Sequence, residues 1–382
     1  MTHHGGRARY DLRFASRPRA LIIQPTTLCN LDCQYCYLPH RRLRSEMPVE
    51  VSRAVAISVE MMADMEHPLE IVWHGGEPLA LGARKFTALL EPFEELRRAG
   101  LVSHCVQTNA TLINAQWCDL VVAYGIQVGV SIDGPAELNS DRVDIAQRSA
   151  FGRITRGIAL LRERRIPFSV ISVVSPQAVN RPEEVLDFLA SLGTRSVGLN
   201  IEELEGVNTT RPSVTRGQAE EFWCRTLMWS REHGHPMRIR QVERLAHYLR
   251  LLREGREAHW DQHLLDPIPT VAWNGDVVLL SPELAGITDP AYDDFLAGNV
   301  LWQSIPAILE DAHRLRYVQE FLDGLDGCET TCDLFSWCRG AQAGNRYFEH
   351  GRFDRTETNY CRVSRQALVT ALSDIATREE NG

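Results

Sequence analysis

The sequence has no uninterrupted apolar run of the roughly 18–20 residues that a membrane-spanning helix needs. It also lacks an apolar secretory core near its N-terminus, where residues 1–7 lead directly into charged side chains. Basic side chains are not in excess, since 41 Lys and Arg stand against 50 Asp and Glu, for a formal net charge of −9. These absences predict a cytoplasmic protein that binds no membrane surface and no nucleic acid.

Internal repeats at a fixed period are missing as well. The 382 residues suit one large domain together with a smaller one. Hydrophobic residues make up 44% of the chain and charged residues 24%, which excludes disorder as the main state. What recurs instead is an alternation of short apolar runs with longer amphipathic runs. Glycine, proline or asparagine stands at most of the junctions between them.

This alternation predicts six strand–helix units. The strands are expected at residues 20–23, 69–73, 101–106, 127–132, 168–174 and 196–201. The helices are expected at about 48–65, 82–99, 114–124, 150–165, 181–192 and 216–233. Six such units in a row predict a parallel α/β sheet with outer helices. After about residue 234 the alternation fades, which predicts a separate C-terminal domain.

Four chemically distinctive segments follow the first four predicted strands. They are the cysteine-rich residues 29–36, the stretch His-Gly-Gly-Glu-Pro at 74–78, Gln-Thr-Asn at 107–109, and Ser-Ile-Asp-Gly-Pro at 131–135. In a parallel sheet, functional side chains lie on the loops that leave the carboxyl ends of the strands. The sequence therefore predicts one functional site at that edge.

The ten cysteines indicate metal binding, because disulfides are rare in a reducing compartment. Cys105, Cys118 and Cys224 stand alone and are expected to be small buried side chains. The spacing of Cys29, Cys33 and Cys36 lets one loop present three thiolates to an iron–sulfur cluster, with one iron left open for a small chelating molecule. A zinc site completed by His40, or a loop of buried cysteines, remains an alternative.

A second group of four cysteines lies within the last 55 residues: Cys328, Cys332, Cys338 and Cys361. Four thiolates are enough to complete either an iron–sulfur cluster or a zinc site. The spacing alone leaves both alternatives open.

The first cysteine loop, with Tyr35 just before its last cysteine, resembles the signature of the radical S-adenosylmethionine (radical SAM) enzymes. The stretch at 74–78 resembles the GGEP segment of that family, and Ser131 to Gly134 resembles its SxDG segment. The stretch at 107–110 departs from the pattern, since Ala110 stands where relatives usually carry glycine. Taken alone, the Gly-Gly and Asp-Gly pairs would be ordinary turns.

The resemblance implies a partial (β/α)6 barrel of the TIM type over residues 20–234, after a lead-in at 1–19 and before a cysteine-rich domain at 235–382. It also implies a [4Fe–4S] cluster on the first cysteine group, with S-adenosylmethionine bound beside it. Glu77 would hold the methionine amino group, and Arg142 the carboxylate. The expected cofactor-binding residues are Tyr35, Gly75, Gly76, Glu77, Asn109, Ser131, Asp133 and Arg142.

The C-terminal cysteines resemble the auxiliary-cluster part of SPASM domains, which extend radical SAM enzymes that modify peptides and proteins. Ser281 stands where relatives with two auxiliary clusters show a cysteine. The resemblance therefore implies one auxiliary [4Fe–4S] cluster, on Cys328, Cys332, Cys338 and Cys361. Zinc at this position stays an open alternative.

Residues 200–208 and 298–300 look like stretches found in the cyclophane-forming peptide maturases. This resemblance implies that an aromatic ring of a ribosomally made precursor peptide is joined to the β-carbon of a nearby residue. A deoxyadenosyl radical would abstract the hydrogen, the auxiliary cluster would accept the surplus electron, and Glu283 would remove the ring proton. The acidic residues 202–205 are either a rim that binds a basic or polar peptide or a solvated loop.

The implied partners are the precursor peptide and an electron donor of the flavodoxin or ferredoxin type. Only about 20 residues precede the first predicted strand, so peptide recognition is expected at the barrel mouth, on the C-terminal domain or through a partner protein. Formylglycine formation, thioether crosslinking and epimerisation are alternative reactions. A non-catalytic iron–sulfur carrier or zinc-stabilised peptide-binding protein is an alternative of another class, although neither would need the segments at 74–78 and 131–134.

Overall fold

The computed structural model describes residues 3–261, 264–340 and 342–380. Within these ranges ten strands form one sheet in the order β10-β9-β8-β1-β2-β3-β4-β5-β6-β7. The strands are β1 Ala20–Ile23, β2 Leu69–Trp73, β3 Val102–Thr108, β4 Gln127–Ser131, β5 Phe168–Val174, β6 Ser196–Ile201, β7 Arg238–Ile239, β8 Thr270–Val271, β9 Asp276–Val278 and β10 Gly298–Asn299. Strands β1 to β7 pair in parallel, and β8 also runs parallel to β1.

Helices follow most of the parallel strands, as the alternating pattern predicts. They are α1 His3–Asp11, α2 Val49–Glu60, α3 Ala83–Leu90, α4 Glu94–Arg98, α5 Ala115–Ala123, α6 Phe151–Glu163, α7 Pro182–Ser191, α8 Arg216–Glu232, α9 Arg240–Arg253, α10 Glu257–Asp261, α11 Ile305–Asp311, α12 Arg316–Thr331, α13 Phe335–Cys338, α14 Ala343–His350 and α15 Ala367–Glu380. No helix of the described residues is long and apolar enough to span a membrane.

The six predicted strands are all present, and β1, β2, β5 and β6 have the predicted limits. The third strand is shifted, because it continues to Thr108 and ends beside the cavity described below. The helix predicted at 82–99 is divided into α3 and α4 by a short 3-10 segment, Glu91–Phe93. Pro92 lies in that segment and cannot donate the backbone hydrogen bond that a continuous helix requires.

The main core lies between the sheet and the helices that follow it. Val106 of β3 and Val128 of β4 meet Phe86, Trp117 and Leu161 of three different helices. Side chains along β3 and β5 alternate between buried and half-buried positions, so each strand gives one face to this core. The opposite face is left for the cavity at the carboxyl end of the sheet.

Segments outside the predicted barrel also join this framework. Strands β7 to β10 extend the sheet beyond residue 234, and β8, β9 and β10 form its antiparallel edge. The lead-in contains α1, and Arg9 binds Asp326 of α12 through contacts of 2.6 and 2.9 Å. The sheet therefore continues across the predicted boundary near residue 234, and that boundary stays a prediction.

Candidate active site at the carboxyl end of the sheet

A cavity of about 350 Å³ opens where the parallel strands end. It is lined by loops that follow β1 to β6 and by side chains from the C-terminal part of the chain. Ten of the residues predicted for function contribute to its wall: Cys29, Cys33, Tyr35, Cys36, Gly76, Glu77, Asn109, Ser131, Arg142 and Glu283. Gly75 and Asp133 do not line the cavity, but Gly75 precedes Gly76 and Asp133 binds Arg142. The structure therefore brings most of the predicted residues to one cavity, and their individual roles stay predictions.

The cysteine loop after β1 places three thiols at the cavity. Backbone hydrogen bonds hold it in place, from Cys29 to Arg41 at 2.9 Å and from Asp32 to Val143 at 2.7 Å. Burial raises the pKa of all three thiols and brings that of Cys33 to about 12. Because burial disfavours a bare thiolate, these side chains need a cationic centre to ionise them. Three thiols on one loop beside an open cavity fit a [4Fe–4S] cluster with a free iron.

The Gly-Gly pair after β2 lies directly against this loop. Gly75 and Gly76 both have positive φ, of 91° and 57°. A Cβ on Gly76 would lie 2.6 Å from the carbonyl oxygen of Leu28 and 2.7 Å from that of Thr26. Only glycine allows this conformation and this close approach at once. The Gly-Gly pair therefore lets the loop after β2 pack against the loop after β1. An ordinary turn, which the dipeptide alone would suggest, would not require this close approach.

Glu77 joins the loop after β2 to the carboxyl end of β3. Its carboxylate accepts hydrogen bonds from the Thr108 hydroxyl at 2.6 Å, the Asn109 amide at 2.8 Å and the Leu79 amide at 3.1 Å. Burial raises the pKa of Glu77 to about 7, while these three donors act in the opposite direction. The sequence did not predict this structural role. The predicted contact with a methionine amino group stays a prediction.

Asp133 and Arg142 form a bidentate ion pair at the cavity wall. The guanidinium donates to both carboxylate oxygens, at 2.8 and 2.9 Å, and the Tyr35 hydroxyl adds a bond of 2.6 Å. Arg142 also lies over the Tyr35 ring, 5.4 Å from its centre. The predicted carboxylate-binding fork is thus already engaged by a carboxylate of the protein. A ligand could therefore bind only the guanidinium N–H groups of Arg142 that do not donate to Asp133.

Asn109 and Ser131 are held by neighbouring side chains at the same edge. Asn109 donates to Asn30 of the cysteine loop at 2.9 Å, and Gln107 donates to the Ser131 hydroxyl at 2.8 Å. Ala110 has a φ of 59°, in the left-handed region that favours glycine. A glycine at this position would adopt the same conformation without strain.

The acidic residues after β6 are not a solvated loop. Glu202 and Glu205 are buried, and Glu202 forms an ion pair with Arg211. Glu203 and Glu205 line the cavity together with Glu283, to which the Ser281 hydroxyl donates. Burial raises the pKa of Glu203 to about 8 and raises that of Glu283. Glu283 therefore shares one cavity with Cys29, Cys33 and Cys36.

Sequence reasoning missed three other side chains in the wall: Tyr37, His74 and Tyr360. Burial lowers the pKa of His74 to about 4, so that this imidazole is neutral near pH 7. Its position just before the Gly-Gly pair could have identified it as a cavity residue. Tyr360 lies next to Cys361, and only the fold brings it to this cavity.

The second cysteine group gathers from α12, α13 and a π-helical segment at Cys361–Gln366. Burial, followed by the negative charges of the other three cysteines, raises the pKa of Cys361 to about 12. Arg346 donates to the Cys328 sulfur at 3.4 Å, and Gln366 donates to the Cys361 sulfur at 3.6 Å. The described residues contain no set of three or more His, Cys, Asp or Glu side chains arranged around a single metal ion. Four neighbouring thiols with N–H donors around them fit an iron–sulfur cluster by donor chemistry.

Comparison with known proteins identifies the family. Residues 23–178 match the model of the radical SAM superfamily. An uncharacterised protein of Synechocystis sp. is 34% identical over 365 residues, which cover 92% of this chain and 90% of that protein. The chain belongs to the radical SAM superfamily. The predicted family, the barrel fold and the family's cofactors, S-adenosylmethionine and [4Fe–4S], are thereby confirmed.

Other relatives of this radical SAM protein match about half of its length. The serine-type anaerobic sulfatase-maturating enzyme of Klebsiella aerogenes is 31% identical over 199 residues, 48% of each chain. The solved structure of anSMEcpe with bound AdoMet and a Cp18Cys peptide has a TM-score of 0.76 at 19% identity, covering 95% of this chain and 99% of that one. Streptococcus suis SuiB bound to precursor peptide SuiA has a TM-score of 0.65 at 16% identity, covering 91% and 76%. These structures share the fold.

Proposed function

We propose that this radical SAM protein modifies a ribosomally made precursor peptide by joining an aromatic ring carbon to the β-carbon of a nearby residue. The observation that carries the proposal is the position of Glu283, a buried carboxyl in the same cavity as Cys29, Cys33 and Cys36. Carbon–carbon bond formation on a ring requires a base next to the radical site. Similar folds in structures that contain peptides, anSMEcpe and SuiB, support a peptide substrate.

The groups of this chain have separate tasks in the proposed reaction. Cys29, Cys33 and Cys36 hold the cluster beside the cavity, and the Gly75-Gly76 backbone and Glu77 shape the place for S-adenosylmethionine. When bound, the two clusters supply electron transfer, the first for cleaving S-adenosylmethionine to a deoxyadenosyl radical and the auxiliary one for taking up the surplus electron. Cys328, Cys332, Cys338 and Cys361 hold that single auxiliary cluster. A donor of the flavodoxin or ferredoxin type is the proposed source of electrons.

Glu283 is the proposed base. Crosslinking removes one hydrogen atom from the β-carbon, which ends in deoxyadenosine, and one proton and one electron from the ring. The carboxylate of Glu283 takes the proton, and the Ser281 hydroxyl holds this carboxylate in place. A buried carboxyl with a raised pKa is a stronger base than an exposed one, which suits proton removal.

Formylglycine formation is a second candidate, because sulfatase-maturating enzymes are among the relatives. Two observations favour crosslinking. The sequence similarity to those enzymes covers only about half of this chain, and the structural similarity beyond it shows the fold alone. In addition, residues 200–208, which resemble the cyclophane-forming maturases, contribute Asn200, Glu203 and Glu205 to the cavity wall.

Mass spectrometry of a co-expressed precursor tests the proposal. A small open reading frame next to the gene, where one is found, is the candidate precursor to co-express. Crosslinking and formylglycine formation from serine both remove two hydrogens, so fragmentation must separate them. A crosslink suppresses backbone fragments between the two joined residues, one of which is aromatic. A complete fragment ladder with a hydrazide-reactive product would refute crosslinking.

A further inference from the structure

Two carboxyl groups in the cavity wall have no basic partner in an ion pair. Glu203 and Glu205 follow β6, and among the described residues neither pairs with Lys, Arg or His. Their neighbour Glu202 differs, since Arg211 binds both of its carboxylate oxygens. Arg211 thus pairs with Glu202, whereas Glu203 feels the charge of Arg365 without forming an ion pair with it. Glu203 and Glu205 both line the cavity.

Asn345 of α14 joins the two carboxyl groups. Its side-chain amide nitrogen donates to Glu203 and, at 2.7 Å, to Glu205. Asn345 is only 1% exposed, and its side-chain oxygen is buried without a hydrogen-bond partner. The hydroxyl of Tyr37 is also buried without a partner, and Tyr37 lines the same cavity. Buried polar atoms are nearly always paired, so the unpaired Tyr37 hydroxyl in the cavity wall indicates a ligand that completes it. Asn345 does not line the cavity itself and holds the two carboxyl groups that do.

Electrostatics specifies the charge of that ligand. Burial and the charges of Glu203, Glu283 and Glu349 raise the pKa of Glu205 well above its usual range. Two carboxylates this close in a cavity cannot both ionise unless a cation neutralises them. A cationic group with several N–H donors would allow both to ionise and could also donate to the Tyr37 hydroxyl.

We infer that Glu203, Glu205 and Asn345 form a subsite for a cationic side chain, guanidinium or ammonium, of the peptide substrate. The inference rests on the proposed function, since it places the peptide in this cavity. Glu283 borders the subsite, so a basic residue bound there would hold a neighbouring residue of the peptide near the proposed base. The subsite thus selects precursor peptides with a basic residue close to the modified position.

Equilibrium binding of small probes tests the subsite without a known precursor. The reconstituted protein, saturated with S-adenosylmethionine, is titrated with the N-acetyl methylamides of arginine, lysine and citrulline. Citrulline has the shape of arginine without its charge. We expect the better cationic probe to bind about tenfold or more tightly than the citrulline probe, because its hydrogen bonds are charge-assisted. Comparing arginine with lysine shows which cation fits.

Substitutions test whether Glu203 and Glu205 cause the preference for a cationic probe. Glu203→Gln together with Glu205→Gln keeps the shape of the subsite and should bring the cation-to-citrulline ratio close to one. Glu66→Gln, on an exposed loop, is the matched control and should keep the wild-type ratio. If the double variant does not fold, Glu205→Gln alone should lower the ratio, and an unchanged ratio would overturn the inference.

Three other results would also overturn it. They are equal binding of charged and neutral probes by the wild type, a preference that survives in the folded double variant, and an arginine probe that binds the protein without S-adenosylmethionine but not the saturated protein. The last would show that the carboxyl groups face the cofactor. Failure of the proposed function is distinguishable, because it would appear as missing product with the probe preference intact.

Discussion

Arg142 binds both carboxylate oxygens of Asp133, at 2.8 and 2.9 Å, inside the wall of the cavity. Both side chains are nearly inaccessible to solvent, at 7% and 3%. The Val173 amide and the Tyr35 hydroxyl donate to the same carboxylate, at 2.9 and 2.6 Å. This pair joins the cysteine loop, the loop after β4 and β5, and so fixes the shape of the site before any ligand binds.

Replacing Asp133 with Asn should destabilise the fold. The change leaves the Arg142 guanidinium buried without a counterion, which costs about 3–5 kcal/mol of unfolding free energy. Urea denaturation measures the loss. Arg164→Gln is the control, because its ion pair with Asp119 is exposed and should contribute less than about 1 kcal/mol. Equal stability of the two variants would contradict the structural importance of the buried pair.

Gly76→Ala should disrupt the contact between the first two loops. A Cβ there would lie 2.6 Å from the Leu28 oxygen, in addition to the strain of a φ of 57°. Gly100→Ala separates the two effects, since Gly100 has a φ of 74° and no atom within 4 Å of its Cβ position. The control should lose about 1–2 kcal/mol from strain alone. Gly76→Ala should lose more, and it should also weaken binding of S-adenosylmethionine in equilibrium dialysis.

Glu283→Gln should uncouple product formation from cofactor cleavage. Loss of a positioned base lowers product formation by about 10² to 10⁴, and deoxyadenosine formation should fall much less. Product and deoxyadenosine are quantified in the same reaction. A parallel decline of both would show that Glu283 acts on the cofactor site and not as the base.

The pH dependence of product formation provides a further test of Glu283. Burial raises the pKa of this carboxyl, and a base works only in its deprotonated form. Product formation should therefore rise with pH, and its fall on the acidic side should have a midpoint above the ordinary carboxyl range. Because the charge of Glu283 acts on both Glu203 and Glu205, the observed midpoint belongs to the group of three. A midpoint at the usual pKa of an exposed glutamate would contradict the proposed role.

Iron analysis tests the second cysteine group. Two [4Fe–4S] clusters give roughly eight irons per chain after anaerobic reconstitution. Replacing Cys29, Cys33 and Cys36 with alanine should leave about half of the iron. Stoichiometric zinc in place of the remaining iron, after strictly anaerobic purification, would favour a structural zinc site on Cys328, Cys332, Cys338 and Cys361.

The sequence predicted the elements that local pattern controls. The six strands were predicted from short apolar runs, and the cysteine loop from the spacing of its cysteines. Both signals depend only on residues that are close in sequence. The prediction of one helix at 82–99 missed the break at Pro92, although proline lacks the amide that a helix interior needs. The left-handed conformation of Ala110 could not be predicted from local pattern, because alanine itself gives no signal for a positive φ.

What the sequence could not predict depends on long-range contacts. Glu203 and Glu205 read as surface residues, because no local pattern shows that α14 places Asn345 against them. Arg142 was predicted to bind a ligand, yet Asp133, nine residues before it, engages its guanidinium. Pairings of this kind form only when separate loops meet at one edge of the sheet.

Deoxyadenosine formation tests the central claim most directly. The anaerobically reconstituted, reduced protein is mixed with S-adenosylmethionine, and deoxyadenosine and methionine are quantified by liquid chromatography. The account predicts that the wild-type protein forms both products. It also predicts that the variant with alanine at Cys29, Cys33 and Cys36 forms neither, while it stays folded and keeps its remaining iron. Cleavage by the triple variant, or no cleavage by a fully loaded wild-type protein, would contradict the assignment of the cavity as a radical SAM site.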